Sequence, residues 1–160
     1  MSSPAPRNVS DSHVEMTEIV LPEDTNPRGS IFGGRVLSLI DKCAAVVAIR
    51  HARGEAVTVA LDSVVFLNNV HVGNVLSLCG RINAAFGSSM EVEVEVHAEE
   101  PHTGKRTLTT RAFVTMVAVD PENRPRKVPP LRLRDDDERR RAEGAAERRR
   151  IRLAKRPDDA

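Results

Sequence analysis

The sequence contains no tryptophan and no tyrosine, and aromatic residues make up 2% of it. Single-stranded nucleic acid is gripped by rings on which its bases stack, so that class of ligand has little to stand on. Cysteine is scarce too: Cys43 and Cys79 each lie in an apolar segment, with no second Cys or His at metal-ligand spacing. Two such residues build no disulfide framework and predict no metal site; they fit a reducing, cytoplasmic compartment. No apolar run reaches the roughly 18 residues that cross a membrane, and no basic-then-apolar leader opens the chain, so the sequence predicts a soluble protein without membrane insertion. The G-x-S-x-G elbow, the P-loop and paired metal motifs are all missing. Charge of one sign is missing as well, with 24 Lys and Arg against 23 Asp and Glu.

What is present suits one domain and a tail. The chain has 160 residues, 40% of them hydrophobic, enough for a single packed core that an oligomer interface would extend. The near-neutral total hides an uneven distribution. Residues 132–160 hold 11 of the 24 basic and 8 of the 23 acidic residues, a net of +3, which leaves the rest at −2. A body with that balance is not the footprint of a nucleic-acid binder. Residues 1–12, rich in Ser and Pro, read as disordered. Residues 13–131 read as the domain. Residues 132–160 can build almost no core and read as a charged tail, an exposed helix or a disordered one.

Periodicity orders the body. Residues 14–21 have β character, and 22–30 form a loop in which Asn26-Pro27 favours a turn. From about Gly33 to Arg50, Val36, Leu39, Ile40, Cys43, Ala44, Val47 and Ala48 recur at helical spacings. Residues 57–67, 75–86, 91–98 and 107–119 then read as strands. The third alternates strictly, with Val92, Val94 and Val96 on one face and Glu91, Glu93, Glu95 and His97 on a face read as solvated. Short connections imply antiparallel neighbours, and one helix must bury its apolar face on the sheet. Periodicity reaches an α+β fold with one helix on an antiparallel sheet; it leaves strand order open.

Two features suggest chemistry. Asp41 stands mid-helix beside Leu37, Ala44, Ala45 and Ala48, where a carboxylate is costly to desolvate unless it is paired or functional. A surface pairing with Lys42 or Arg50 is the plainer explanation. Gly33-Gly34 opens the same helix, and the unpaired amides of a first turn can polarise a carbonyl; a tight loop-to-helix turn explains the pair equally.

The segment from Leu21 to Gly34, Leu-Pro-Glu-Asp-Thr-Asn-Pro-Arg-Gly-Ser-Ile-Phe-Gly-Gly, followed by Asp41 seven positions on, resembles the signature of hotdog acyl-CoA hydrolases, P-x-D-x-N-x-x-G-x-I-F-G-G and then a helical acid. The likeness continues through residues 58–66, Val72-Gly73-Asn74, Gly87-Ser88-Ser89 and residues 113–120, so it spans about residues 14–130. It implies a hotdog fold, a curved antiparallel sheet wrapped around one central helix. It implies hydrolysis of acyl-CoA to free acid and CoA, as part of fatty acid metabolism, with no metal or other cofactor; CoA is part of the substrate. It implies a homodimer, with hexamers built as trimers of dimers common among relatives, and a site at the dimer interface. There Asp41 acts as general base or nucleophile, and Asn26, from the other protomer, helps place the water or thioester. The amides of Gly33 and Gly34 form the oxyanion site, and Phe32 and Phe66 line the substrate. Ser88 and Ser89 contact CoA, less securely, because the Arg that often precedes the Ser-Ser pair is Gly87 here. A non-hydrolytic acyl-CoA-binding module is the alternative, and a hydratase lacks its motif.

Overall fold

The chain, whose computed structural model describes residues 3–156, runs β1 (Arg7–Asn8), β2 (Val14–Ile19), α1 (Gly33–Ala52), β3 (Ala56–Phe66), β4 (Val75–Phe86), β5 (Ser89–Glu99), β6 (Arg106–Ala118), β7 (Leu131–Arg132) and α2 (Asp136–Ala154). Five strands form one antiparallel sheet in the order β2-β4-β5-β6-β3, and β1 and β7 make a short parallel pair beside it. This is the open, hotdog-type sheet with a long central helix.

The alternation in β5 is what wraps the sheet around α1. Val92, Val94 and Val96 are fully buried, as are Val114 and Ala112 opposite on β6. Helix α1 meets them with Val36, Ile40, Cys43, Ala44 and Val47, all at most 2% exposed. Each of the fully buried Val and Ile side chains contributes about 1.5–3 kcal/mol. Close approach of helix to sheet depends on Gly80. A Cβ there would stand 2.7 Å from Cys43 Sγ and 2.9 Å from Val47 Cγ2, so only glycine leaves room. The helix ends at Arg53, which takes a left-handed conformation (φ 52°). Two cations then cap its last carbonyls: Arg126 Nη2 donates to Ala52 O at 2.8 Å and Arg7 Nη1 to Arg50 O at 2.9 Å. Positive charge is favourable at that end of a helix.

Three expectations are corrected. The opening stretch, read as disordered over residues 1–12, is structured over residues 7–12: β1 pairs with β7, a 3-10 turn spans Val9–Ser12, and Val9 is buried. One apolar residue in a polar stretch was too weak a signal, and its partner strand lies more than a hundred residues away. Met1 and Ser2 lie outside the described residues.

The second correction concerns where the tail packs, since the helical reading of it holds. Its helix is α2, capped by Asp135, which accepts from Glu138 N at 2.8 Å, and residues 157–160 lie outside the described set. The helix lies on the outer face of the sheet instead of standing in solvent. Ala145 alone of its side chains is fully buried. Ion pairs attach it further, among them Arg141 to Glu93 at 2.6 Å, Arg148 to Glu91 at 2.7 Å and Arg152 to Asp62.

The third correction follows from the second. Glu91 and Glu93, read as a solvated row, are 2% and 3% exposed beneath α2. Asn83 Nδ2 donates to both at 3.1 Å. Buried carboxylates need such partners, and the arginines that supply them come from a segment distant in sequence.

Candidate active site

The loop before α1 is built around two side chains. Asp24 Oδ2 accepts from Leu21 N at 3.0 Å, and its Oδ1 pairs with Arg35 Nε at 2.9 Å, which ties the loop to the first turn of α1. Asn26 Oδ1 accepts from the amides of Arg28 and Ser30, at 2.9 and 3.2 Å, closing an Asx turn. Gly29, at φ +75°, completes it. The carbonyl of Asn26 is therefore spent on the loop, whereas its Nδ2 group has no partner among the described residues.

Phe32 precedes α1 and its side chain caps nothing, so the amides of Gly33 and Gly34 find no acceptor among the described residues. These are the donors that a first turn leaves open, at the positive end of the helix dipole. The ring of Phe66 lies over Gly33; a Cβ there would be 3.4 Å from Phe66 Cζ. A small cavity of about 260 Å³ opens beside them, between Gly33, Val36, Phe66 and Val70. Phe32 and Phe66 are both 52% exposed and belong to the surface of this chain.

Asp41 lies further along α1 and is solvent-exposed. Thr58 Oγ1, on β3, donates to its Oδ1 at 2.6 Å. This hydroxyl fixes the carboxylate against the strand and leaves Oδ2 open. The sequence reading missed Thr58. Its signal, a lone hydroxyl in the β-branched opening of a strand, looks like ordinary β propensity until the strand is placed against the helix. Neither Lys42 nor Arg50 pairs with Asp41; Arg50 Nη1 donates to His13 O at 2.7 Å.

The candidates thus fall into two groups. Asn26, Gly33, Gly34 and Phe66 gather at the N-terminus of α1. Asp41 stands eight residues past Gly33, about 12 Å at 1.5 Å per residue, so it cannot reach a carbonyl held by those amides in the same chain. Ser88 and Ser89 fall in neither group: Ser89 pairs in register with Val117, next to the core-facing Met90 and Met116, so its side chain is on the face of the sheet away from α1. Thr58, Met116 and Met90 form one row across β3, β6 and β5, and Ser89 adjoins it. Ser88 O accepts from Ala118 N at 3.0 Å, near the C-terminal end of α1. Cys43 is no competitor: burial pushes its thiol up to about 12, with Cys79 nearby adding to the effect, and a neutral thiol is a poor nucleophile. Among the described residues no cluster of three or more His, Cys, Asp or Glu could hold a metal ion, and no helix is long and apolar enough to cross a membrane.

An open antiparallel sheet around one helix, with bare amides at the helix N-terminus and a carboxylate two turns on, defines a hotdog thioester-handling protein. The Thioesterase superfamily model matches residues 28–114, more than half of the chain, and the chain belongs to that family. It is 40% identical over 129 residues to the uncharacterized acyl-CoA thioester hydrolase YkhA of Bacillus subtilis, covering 81% of this chain and 75% of that one. Among solved structures it resembles an apo-hexameric acyl-CoA thioesterase with a TM-score of 0.89 and 43% identity, over 96% of this chain and all of the other. An acyl-CoA hydrolase from Staphylococcus aureus, solved in complex with butyryl coenzyme A, coenzyme A and coenzyme A disulfide, matches with a TM-score of 0.86 and 34% identity, over 92% and 90%. Mutants of that enzyme carrying alanine for an aspartate, an asparagine and a threonine have also been solved.

Proposed function

We propose that this protein is an acyl-CoA thioesterase that releases free acid and CoA at sites shared between two copies of the chain. The observation that carries the reading is the split along α1: bare amides at Gly33 and Gly34, and a Thr58-held carboxylate about 12 Å away on the same helix. Two copies related by a two-fold axis, with their α1 helices antiparallel, bring the Gly33 end of one to Asp41 of the other. The aspartate, asparagine and threonine replaced in the S. aureus enzyme have the sequence spacing of Asp41, Asn26 and Thr58, which supports a joint role for the three.

In this site the thioester oxygen faces the Gly33 and Gly34 amides, where negative charge develops. Asp41 Oδ2 takes a proton from water held with the help of Asn26 Nδ2. The hydroxide adds to the carbonyl carbon, and the tetrahedral intermediate expels the CoA thiolate, which receives the proton from Asp41. Thiolate is a good leaving group, so one positioned carboxylate and preorganised amides suffice. Attack by Asp41 itself, through a mixed anhydride that water then opens, starts from the same geometry. Single turnover in ¹⁸O-water separates the two, since only the anhydride route can leave label in Asp41. Phe32 and Phe66 flank the acyl chain, and Ser88 and Ser89 lie along the CoA arm. The functional unit is the dimer, with three dimers to a hexamer, in a cytoplasmic enzyme of fatty acid metabolism that needs no cofactor.

The test is thiol release from a panel of acyl-CoAs. Asp41→Ala should lose about 10²–10⁴-fold in rate with oligomer size unchanged. Asp41→Ala mixed with Asn26→Ala should regain activity when subunits exchange, because one mixed interface then holds both intact residues. Wild-type protein that binds acyl-CoA without turnover would move the reading to the non-hydrolytic alternative.

A further inference from the structure

The loop that carries Asn26 is held on its two limbs by different means. The returning limb is pinned by backbone bonds to the segment before β4: Ile31 N donates to Val70 O at 2.8 Å, and Val72 N donates to Gly29 O at 3.2 Å. The outgoing limb, which runs from Pro22 to Asn26, is tied instead to the start of α1. Phe32 N donates to Asp24 O at 2.9 Å, and the Asp24 carboxylate pairs with Arg35 Nε at 2.9 Å.

Arg35 does more than meet Asp24. Its Nη2 donates to Glu18 Oε1 at 2.7 Å, so one guanidinium joins α1 both to the loop and to the end of β2. The Asp24 side chain is 12% exposed, and its other oxygen accepts from Leu21 N at 3.0 Å. The carboxylate is thus immobilised from two sides. A guanidinium presents its donors at fixed angles, whereas an ammonium is a single point charge that serves two carboxylates less well.

The consequence falls on the candidate site. Asp24 stands two residues before Asn26, and its carbonyl holds Phe32, the residue before Gly33. A shift of Asp24 therefore moves Asn26 Nδ2 relative to the Gly33 and Gly34 amides. Water and carbonyl must meet in a narrow geometry, and a misplacement of about 1 Å can cost about 10²-fold in rate. Asp41 is held separately, by Thr58 from β3, so Arg35 acts on one half of the shared site.

We propose that Arg35 is a positioning residue: by bridging Asp24 and Glu18, it fixes Asn26 against the Gly33 and Gly34 amides of its own chain. The assignment rests on the thioesterase reading of the shared site and gives Arg35 no contact with the reacting atoms.

The test begins with Arg35→Met, which keeps the aliphatic stem and removes the donors. It should lower kcat about 10–100-fold with KM nearly unchanged, and Arg35→Lys should recover part of the loss. Mixed oligomers locate the effect. After subunit exchange, Arg35→Met with Asp41→Ala should exceed the mean activity of its parents, because one interface then joins an intact loop half to an intact Asp41. Arg35→Met with Asn26→Ala should not, because every loop half is then defective. Hydrogen exchange supplies a readout that needs no turnover: amides of residues 24–34 should exchange faster in Arg35→Met, with those of Ile40 to Val47 unchanged. Wild-type kcat in Arg35→Met would overturn the assignment. So would a raised KM with kcat intact, or regained activity with Asn26→Ala. Wild-type protein without turnover would sink the thioesterase reading instead. Exchange over residues 24–34 would then still decide the clamp, faster exchange keeping it and unchanged exchange removing it.

Discussion

The two helices lie on opposite faces of one sheet and are held there by opposite physics. Helix α1 is attached by fully buried aliphatic side chains, with Gly80 opening room for them. Helix α2 is attached by arginines that reach Glu91 and Glu93, and it buries only Ala145. Burial of apolar surface is non-directional and is not subject to charge screening, so α1 can serve as a fixed frame from which Gly33 and Asp41 project. An arginine–carboxylate attachment is directional and responds to ions and to loss of one partner. The working residues sit on the first kind of helix, and the second covers carboxylates that the sheet could not otherwise bury.

That contrast can be broken from either side. The largest effect should come from the apolar side. Ile40→Ala removes a fully buried side chain of α1 and should cost about 2–5 kcal/mol by denaturant unfolding, with little dependence on salt. Gly80→Val should follow. Its side chain meets Cys43 and Val47 within 3 Å, and overpacking of this kind costs about 1–3 kcal/mol.

On the polar side, Arg148→Ala leaves Glu91, 2% exposed, without its cation, and should cost about 2 kcal/mol. Adding Glu91→Gln should return part of that loss, which a double-mutant cycle would measure; equal loss with and without Glu91→Gln would show that the pair is not what holds α2. A gentler test is salt. Raising NaCl to about 1 M shortens the screening length to about 3 Å, and should increase amide exchange in α2 while leaving α1 unchanged.

The smallest effect should be on pH. His51 is fully buried at the end of α1, with Nε2 donating to Pro129 O at 2.7 Å. Burial holds its imidazole below the ordinary range, against the upward pull of that hydrogen bond. The folded state therefore binds this proton less readily than the unfolded chain does. Stability should be unaffected by His51 above about pH 6.5 and should decline as pH falls below it. A His51→Gln variant should lack that part of the decline in thermal melts.

Much of this was legible in the residues themselves. The 3.6-residue recurrence from Val36 to Ala48 predicts α1, and the two-residue recurrence in β5 predicts a strand with one buried face, because each period is a property of local backbone geometry. The motif from Pro22 to Gly34 could be read by resemblance alone, since Asp24 and Asn26 bond within a few residues of themselves and keep the loop's shape local. What could not be read were the contacts that span the chain. The Thr58 hydroxyl on Asp41, the pairing of β1 with β7, and the arginines over Glu91 and Glu93 join residues 17 to 124 positions apart in sequence.

The sequence by itself determined α1, the five long strands, the loop that precedes α1 and the amides bared at its start, because these depend on neighbours along the chain. Only the tertiary structure decided that the glutamates of β5 are buried, that the charged tail covers them, and that the Thr58 hydroxyl holds Asp41. Those outcomes depend on which surfaces meet in three dimensions, and neither periodicity nor charge count specifies that.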